Sequence, residues 1–389
     1  MVDAIRAMVV AAPGLAPELQ QRSVPEPGRG QVRVRVRCCG VCRLDAALLS
    51  GSSAVAGVRT GGLPFGADGL QPRWPLVAGH QIVGIIDALG PETRDVVVGQ
   101  RVAVSLIGGT CGSCQSCLTG RENLCKHAVL TGVHRDGGFA DAVLADARAV
   151  IPLPASLVDE EVAPMLCSGP EAYRALRLAD DAFRIGLFGI DERTELLAQL
   201  ATLEGRELMG FVEEKDEDGA AFLGGLGAGW VGRIGASPPH ALDAALVVSS
   251  DGRHVVEALR ALGPGGVVIC MNDSVSRIPG LAEGSLSGER SLRTIASATR
   301  KDAAEFIELA ARLTLRPFVT SYPLADLGAA LSDLARGAVG GAAVIRVAAS
   351  AATTVTRNDA GRAVLDEVAS SRVRRFSVRA PSTRRRAVT

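Results

Sequence analysis

The sequence predicts an α/β protein in which a β-rich part is joined to a doubly wound parallel sheet. Three observations predict this fold class. Valine and arginine alternate with period two near the start, glycine and proline recur through roughly the first 150 residues, and short apolar strands alternate with helices after about residue 160. Strands that alternate with helices favour a parallel sheet with right-handed crossovers. We therefore expect two domains of different architecture in one chain.

The predicted elements follow in order. Val32, Val34 and Val36 alternate with arginines, which places the valines on the buried face of a strand. In the second part, apolar strands are predicted at 185–189, 208–212, 245–248 and 267–270, with helices at 192–203 and 255–262. After about residue 300, a mixed segment ends in the apolar strand 343–347.

These elements predict a division of the chain. A β-rich first part is followed by alternating strands and helices from about residue 160, by a mixed segment after about residue 300, and by a tail at 350–389. The tail holds nine arginines against three acidic residues, so the neutral net charge combines a basic tail with an acidic body. The tail has no sustained apolar period, and we expect it to be mostly disordered, with room for one short helix. A solvated extension is preferred to nucleic-acid binding, because no nucleic-acid-binding fold accompanies it.

Composition excludes several classes of protein. The 389 residues are 47% apolar and contain nine cysteines, which fits a large core and not a small disulfide scaffold. No window approaches the roughly 18 consecutive apolar residues of a membrane span, and Asp3 interrupts the basic start of a secretory leader. We expect a soluble cytoplasmic protein whose cysteines are metal ligands, nucleophiles or core residues.

The strongest local motif is Cys111-x2-Cys114-x2-Cys117-x7-Cys125. Four thiolates this close in sequence can surround one Zn²⁺ as a tetrahedron, which leaves no open coordination position. We therefore predict a structural zinc site. An iron–sulfur cluster is one alternative, because its cysteine spacing looks similar, and a coincidental cluster without metal is another.

Three dispersed residues form a second candidate metal site. Cys42, His80 and Cys167 are of the types that bind zinc. Their spacing alone does not join them, because a lone cysteine is usually a core residue and a lone histidine a hydrogen-bonded polar group. A resemblance to a known family is needed to connect them.

That resemblance rests on the order of these segments together with Val98-Gly-Gln-Arg-Val, Asp136-Gly-Gly-Phe-Ala and Leu262-Gly-Pro-Gly-Gly. The pattern resembles the zinc-containing alcohol dehydrogenases of the medium-chain dehydrogenase/reductase superfamily, over about residues 5–347. It implies a GroES-like catalytic domain at residues 1–154 and 299–349, built from both ends of the chain, with a Rossmann-like domain at 155–298 between them. It also implies a nicotinamide cofactor, a small-molecule substrate and a homodimer or homotetramer, with no membrane and no nucleic-acid partner.

By position, the resemblance assigns Cys42, His80 and Cys167 to a catalytic zinc whose fourth position is open to water or substrate. With the four-cysteine site this makes two zinc ions per chain. Asp45 is then a carboxylate that orients His80 or a neighbouring cation. A turn aspartate without such a role is the alternative interpretation of Asp45.

The proton relay and the surroundings of the metal depart from the family pattern. The family carries Thr or Ser at the position of Leu44 and often His at that of Ala47, and together these pass the alcohol proton to solvent. Neither apolar side chain can exchange a proton. The family glutamate beside the histidine ligand is Gln81 here, which removes a charge near the metal.

The cofactor site departs further. A dinucleotide turn needs Gly-x-Gly-x-x-Gly or Ala, and of that run only Gly189 remains. Asp191 and Glu192 stand where the pyrophosphate belongs, and each would repel a phosphate charge at about 4 Å by on the order of 1 to 4 kcal/mol. We prefer to assign both acids to the first turn of a helix. Arg43, after the first ligand, and Glu213, after the second Rossmann strand, are the other candidate cofactor residues.

The wall that faces the nicotinamide in the family has also changed. Glu171 replaces a small residue or Thr and lies one turn after Cys167 if the segment is helical, hence near the metal. Met271-Asn272-Asp273 replaces small residues after the fourth Rossmann strand. The extended segment 50–73 is either a lid over the substrate entrance or a plain surface excursion.

Three functions are weighed. We favour a zinc enzyme that performs a redox-neutral reaction on a carbonyl or hydroxyl compound, with zinc as Lewis acid, Glu171 as general acid or base, and weakened or lost nicotinamide binding. The residues of the proton relay, of the phosphate-binding turn and of the wall beside the nicotinamide all differ from the family pattern, while the seven predicted zinc ligands are present. The alternatives are an NAD(P)-dependent zinc alcohol dehydrogenase or reductase, and a non-catalytic binding subunit. The altered pocket and the extended loop suggest a specialised substrate, and the arginine-rich, lysine-poor composition resembles that of high-GC bacteria, which fits a biosynthetic role.

Overall fold

The computed structural model describes residues 4–50, 72–271, 275–313, 315–339 and 341–347. The strands are β1 (Ala4–Val9), β2 (Glu18–Ser23), β3 (Gln31–Val41), β4 (Gln81–Leu89), β5 (Arg101–Val104), β6 (Ile107–Gly109), β7 (Val129–Leu130), β8 (Ala142–Asp146), β9 (Ile151–Pro152), β10 (Arg184–Phe188), β11 (Glu207–Val212), β12 (Trp230–Arg233), β13 (Leu242–Val247), β14 (Leu262–Cys270), β15 (Ser291–Thr294), β16 (Val319–Pro323) and β17 (Ala342–Arg346). The helices are α1 (Arg43–Ser50), α2 (Gln115–Leu118), α3 (Asp159–Leu178), α4 (Thr194–Leu203), α5 (Glu217–Gly225), α6 (Gly252–Ala261), α7 (Arg300–Leu313) and α8 (Leu327–Ala335).

One sheet combines strands from both ends of the chain. Its order is β16-β17-β3-β4-β5-β9, and β8 also pairs with β3. The alternation predicted for β3 is confirmed: Val32, Val34 and Val36 are at most 1% exposed. Strand β17, from the last part of the described chain, pairs antiparallel with β3. This sheet is therefore built from both ends of the chain, as the resemblance implied.

The second sheet is parallel and has six strands in the order β12-β11-β10-β13-β14-β15. Numbered along the chain, this is the order 3-2-1-4-5-6 of a doubly wound Rossmann sheet, in which ligands bind outside the carboxyl ends of the strands, where the order reverses. That switch point lies between β10 and β13. The predicted α/β fold class is confirmed.

Helix α3 positions the functional residues between the two sheets. It contacts β3, β4 and β17 of the first sheet and also packs against helices α4 and α7. Its twenty residues include Cys167 and Glu171. A single helix thus carries one predicted metal ligand and the predicted acid or base into the region where the sheets meet.

Several predictions concern residues outside the described part of the chain. The tail 350–389, nearly all of the extended segment 50–73, and Asn272 and Asp273 lie there. The domain boundaries stay a prediction. Among the described residues, no helix is long and apolar enough to cross a membrane. Cys38, Cys39 and Cys270 are buried free thiols, consistent with cysteines that serve as core residues.

Candidate active site

The four cysteines of the predicted structural site meet in one place. Their Sγ atoms are 3.9 Å apart for Cys111 and Cys117, 3.6 Å for Cys114 and Cys117, and 3.6 Å for Cys125 and Cys111. Zinc–sulfur bonds of about 2.3 Å in a tetrahedron place the sulfurs about 3.8 Å apart. All four sulfurs lie within 4.8 Å of one another. The geometry and the chemistry of the donors fit a tetrahedral zinc ion.

The backbone of this loop stabilises thiolate. Gly112 adopts a φ of 71°, which lets the chain turn around the sulfur of Cys111. The Cys114 N–H donates to Cys111 Sγ at 3.4 Å. Hydrogen bonds from the backbone of Ser113 and of Cys114 lower the pKa of Cys111 to about 5. Burial raises the pKa of Cys117 in the same cluster to about 11, so the backbone stabilises the thiolate, the form that binds metal, at Cys111 in particular.

The dispersed candidate ligands also come together. Cys42 follows β3 and His80 precedes β4, and these strands are antiparallel neighbours with Gly40 paired to Gln81. Cys42 Sγ lies 3.3 Å from His80 Nε2, close to the distance of about 3.5 Å that a shared tetrahedral zinc sets for sulfur and nitrogen. The thiol of Cys167 interacts with both side chains. The ligand atoms of Cys42, Asp45 and His80 lie within 4.8 Å of one another, and Cys167 lies outside this group. Thiol and imidazole side chains are of the types that bind zinc.

Asp45 lies behind His80 and is fully buried. Its Oδ1 is 3.4 Å from His80 Nδ1, and its two oxygens accept the N–H groups of Gly79 at 3.1 Å and Cys42 at 3.0 Å. Burial lowers the pKa of His80, but Asp45 and Cys167 outweigh burial and raise the pKa to about 10. The Asp45 carboxylate therefore lies beside the imidazole and fixes the backbone of Gly79 and Cys42.

The positions of the usual proton relay are apolar in the fold as in the sequence. Leu44 packs against the cluster that contains Leu48 and Leu106. Gln81, beside the histidine ligand, is 4% exposed and in contact range of Gly40. Leu44 and Ala47, at the two relay positions, thus supply no group that exchanges protons.

Glu171 lies one turn after Cys167 on α3, as predicted for a helical segment. Its side chain is 19% exposed, and its Oε2 is 3.4 Å from Nη1 of Arg193. Burial and the nearby sulfur of Cys167 raise the pKa of Glu171 to about 8, against the opposing effect of Arg193. A carboxyl group with this pKa is set to hold a proton near neutral pH and to exchange it.

The turn after β10 is closed by side chains of the chain itself. Gly189 has a φ of 87°. The Asp191 N–H donates to Thr194 Oγ1 at 2.9 Å, and the Arg193 N–H donates to Asp191 Oδ1 at 2.8 Å. Helix α4 begins only at Thr194, so the prediction that Asp191 and Glu192 form its first turn is wrong. These side-chain bonds hold the preceding residues in a separate turn.

The side chain of Arg193 crosses the end of the parallel sheet. It is 8% exposed and forms hydrogen bonds with the Asp191 carboxylate, with the backbone oxygen of Met271 at 2.7 Å, and with Glu171. The carboxylates of Asp191 and Glu171 keep the guanidinium charged. Sequence reasoning does not single out Arg193 as a site residue, because its partners come from three separate segments.

The chain is similar to known alcohol dehydrogenases. Residues 28–155 match the alcohol dehydrogenase GroES-like domain. The probable alcohol dehydrogenase AdhA of Mycobacterium tuberculosis is 32% identical over 83% of this chain and 91% of its own length. The chain belongs to the zinc-containing alcohol dehydrogenase family.

Solved structures of this family have the same fold. The crystal structure of AibC is 25% identical, with a TM-score of 0.76 over 88% of this chain and 96% of AibC. The alcohol dehydrogenase RspB of Escherichia coli, solved in complex with NADH, is 18% identical, with a TM-score of 0.74 over 89% of this chain and all of RspB. At this low identity the RspB likeness concerns the fold alone.

The dinucleotide of this enzyme family is a poor fit to the residues present here. The pyrophosphate of a Rossmann ligand binds free N–H groups at the start of the helix after the first strand. In this turn the N–H groups of Asp191 and Arg193 are already bonded, and the carboxylates of Asp191, Glu192 and Glu171 surround the same space.

The two other candidate cofactor residues have partners of their own. Arg43 Nε is 3.6 Å from Glu192 Oε2, in a largely exposed pair that contributes little stability. Glu213 Oε1 is 2.9 Å from Nε2 of the buried His254. His254 had no signal in the sequence, because it lies on α6 and meets Glu213 only across the sheet edge. The roles of Arg43 and Glu213 in cofactor binding stay predictions.

A cavity of about 700 Å³ is lined by Cys167, one of the predicted catalytic ligands, and by Cys117 of the four-cysteine loop. Cys167 and Pro170 of α3 line it together with the apolar side chains of Leu106, Ile107 and Ile151. A cavity of this volume suits a small organic molecule. One face of the Cys167 position is therefore open to a substrate-sized space.

Proposed function

We propose that this member of the alcohol dehydrogenase family is a zinc enzyme that acts on a small carbonyl or hydroxyl compound without net oxidation or reduction. The reacting group binds in the cavity beside Cys167, and Glu171 exchanges the proton that the reaction requires. Nicotinamide binding is weak or lost. The zinc-containing family and two groups of metal-ligating side chains, the four cysteines of the loop and Cys42 with Asp45 and His80, support the zinc part of this proposal.

We assign one zinc ion to Cys42, His80 and Cys167, and a second, structural ion to the four-cysteine loop. At the first site a bound zinc ion supplies a Lewis acid that polarises a carbonyl or lowers the pKa of a bound hydroxyl. Asp45 holds His80 in the orientation that presents Nε2 to the metal position. The four cysteines of the loop have a structural role.

Glu171 is the proposed general acid or base. It follows Cys167 by one turn on a rigid helix, and its carboxyl group is mostly buried. Held at 3.4 Å from Arg193, it can hold a proton near neutral pH and pass it to a substrate atom next to the metal position. No nicotinamide is required for such a proton transfer.

The observation that carries the proposal is the state of the turn after β10. The backbone N–H groups that a pyrophosphate needs are bonded to Thr194 and Asp191, and Arg193 occupies the space outside the strand ends. A working dehydrogenase requires that space for its cofactor. A redox-neutral enzyme does not.

The test is a titration of the zinc-loaded protein with NADH and with NADPH, read by the fluorescence of the reduced nicotinamide. An ordinary nicotinamide-dependent alcohol dehydrogenase is the positive control, and zinc is counted by elemental analysis. We expect two zinc ions per chain and no saturation within the roughly 1 µM to 1 mM range of ordinary enzyme ligands. Saturable binding in that range by either cofactor contradicts the proposal.

The second candidate function is an NAD(P)-dependent alcohol dehydrogenase. It is supported by the AdhA relative, which spans nearly the same length, by the NADH bound in the RspB structure, and by Gly189, which keeps the positive φ of a phosphate turn. Substrate-dependent loss of NADH absorbance, with an aldehyde panel, would establish this function in place of the first.

We further propose that the protein works in the cytoplasm as a homodimer or homotetramer. The exposed edge of the parallel sheet supports an oligomer: β15 pairs only with β14 among the described strands, and its last two residues are exposed. An open strand edge is a common surface for pairing with a second copy.

A further inference from the structure

We propose that Arg193 is an internal plug of the dinucleotide crevice: it occupies the space of the missing cofactor and holds Glu171 beside the metal site. This inference rests on the proposed function and deepens it. It assigns to one residue of the chain both the exclusion of the dinucleotide and the placement of the proposed acid or base.

The first step is the position of Arg193 in the sheet. Strands β10 and β13 are parallel neighbours at the point where the strand order reverses, and ligands of doubly wound sheets bind outside this point. Arg193 follows β10 immediately before α4. Its Nη1 reaches the backbone oxygen of Met271, which follows β14. The side chain therefore spans the crevice from the end of β10, past β13, to the end of β14.

The second step is the chemistry of the contacts. A guanidinium group presents five N–H donors in a flat fork and has no acceptor. Here the fork is bonded to the Asp191 carboxylate, the Met271 oxygen and Glu171. A dinucleotide would have to displace a guanidinium that is 8% exposed and would leave two carboxylates facing its phosphates. Both effects oppose binding.

The third step concerns Glu171. Its Oε2 accepts a hydrogen bond from Nη1 of Arg193 at 3.4 Å. Arg193 is itself fixed by Asp191 and by Met271, so the position of the Glu171 carboxyl group depends on an anchored cation. Lysine would keep the charge but could not form the same fork of bonds. Arg193 is thus a positioning residue for Glu171.

The experiment compares the wild type with the double variant Asp191→Gly plus Arg193→Ala. The double variant removes the plug and restores the second glycine of the dinucleotide turn. ADP-ribose and NADH are the probes, and calorimetry measures their binding. We expect the double variant to bind both at least about tenfold more tightly than the wild type, a difference of about 1.4 kcal/mol, because the space is free and the N–H of residue 193 is no longer bonded to Asp191.

The matched control is Arg206→Ala. Arg206 is also a largely buried arginine of the same sheet, bonded to Glu204 at 2.7 Å and to the Ala182 oxygen at 2.9 Å, but it precedes β11 and so lies at the opposite end of the parallel strands. It should leave both affinities unchanged. Circular dichroism and zinc content establish that each variant is folded.

The outcomes separate this inference from the proposed function. If the wild type already binds NADH with ordinary affinity, the proposed function fails. If neither the wild type nor the folded double variant binds ADP-ribose or NADH, the inference that Arg193 blocks the crevice is wrong, while the proposed function stands. If the double variant does not fold, the single variant Arg193→Lys replaces it in the test. Lysine is shorter than arginine, so this variant is expected to bind ADP-ribose measurably. An affinity for ADP-ribose equal to that of wild type overturns the inference.

The positioning of Glu171 needs its own readout. With cobalt in place of zinc, the visible spectrum reports on groups near the metal. We expect Arg193→Lys to change the spectrum in the same direction as Glu171→Gln, while Arg206→Ala leaves it unchanged. A spectrum of Arg193→Lys identical to that of wild type would overturn the positioning role.

Discussion

Nδ1 of His80 lies 3.4 Å from Oδ1 of Asp45, and both side chains are at most 1% exposed. The opposite ring nitrogen, Nε2, faces the sulfur of Cys42 at 3.3 Å. We propose that the carboxylate determines which nitrogen of the imidazole faces the metal position. In metal sites such outer partners orient the ligand and raise its basicity.

The first prediction concerns Asp45→Asn. The amide keeps one acceptor but loses the charge, so zinc at the Cys42 site should bind about 10- to 100-fold more weakly. Asp45→Ala should in addition destabilise the fold, since each N–H group of Gly79 and Cys42 left without a partner costs about 1–3 kcal/mol. Competition with a chelator measures the affinity, and an unchanged zinc affinity in Asp45→Asn would show that the carboxylate has no such role.

The second prediction separates the two zinc sites. Cys42→Ala should keep a native fold and retain one zinc ion per chain instead of two, because the four-cysteine loop is a complete site of its own. Cys270→Ala, at a buried cysteine outside both clusters, is the control and should retain two. Loss of both ions in Cys42→Ala would mean that the sites are not independent.

The third prediction assigns a structural role to the loop. Cys111→Ser should lower the free energy of unfolding by more than about 3 kcal/mol, because the loop buries few side chains and its order depends on the metal. Denaturant unfolding with and without a strong chelator measures the effect. Wild type treated with chelator should resemble the variant, and equal stability of all samples would contradict a structural metal.

The sequence predicts the four-cysteine loop more directly than it predicts the dispersed site. The four cysteines lie within one short segment, so their spacing alone restricts them to a common centre. Cys42, His80 and Cys167 are joined only by the antiparallel pairing of β3 with β4 and by the packing of α3 against both. Such long-range pairing leaves no local periodic signal. Only the resemblance to a family connects these three residues.

The turn after β10 shows where sequence reasoning stops. The loss of the phosphate glycines is visible in the sequence, and so is the placement of carboxylates after Gly189. The predicted helix start is two residues too early, because Asp191 and Thr194 bond the backbone in a separate turn. The path of the Arg193 side chain depends on acceptors in α3 and after β14, and no local pattern reveals them.

The fourth prediction concerns the pH dependence of Glu171. Burial and Cys167 raise its pKa to about 8, above the value of about 4.3 for an exposed glutamate. Between these values the folded protein binds more protons than the unfolded chain, so this group lowers stability as pH rises, by at most about 1.4 kcal/mol per pH unit. Below about pH 4 the penalty is absent.

Glu171→Gln should remove this dependence. Urea unfolding at about pH 5 and at about pH 8 should show the variant gaining stability relative to wild type at the higher pH. The loss of the Arg193 contact adds an offset that is the same at both values, so only the difference counts. A difference of zero, or of opposite sign, would mean that Glu171 is an ordinary ionised carboxylate.

The fifth prediction is oligomeric state. If the exposed edge of β15 pairs with a second copy, light scattering after gel filtration should give at least twice the chain mass of 40.2 kDa at micromolar concentration. A mass of one chain over the whole concentration range would show that the edge is a free surface.

The central claim is that the crevice outside Gly189 is closed by the chain itself. A crystal structure of the protein as purified, with NADH added in excess, tests it most directly. We expect metal at both sulfur clusters and continuous density from Arg193 to the Met271 oxygen and Glu171, with no dinucleotide. Density for NADH along the turn, with Arg193 displaced from Met271, would contradict the account.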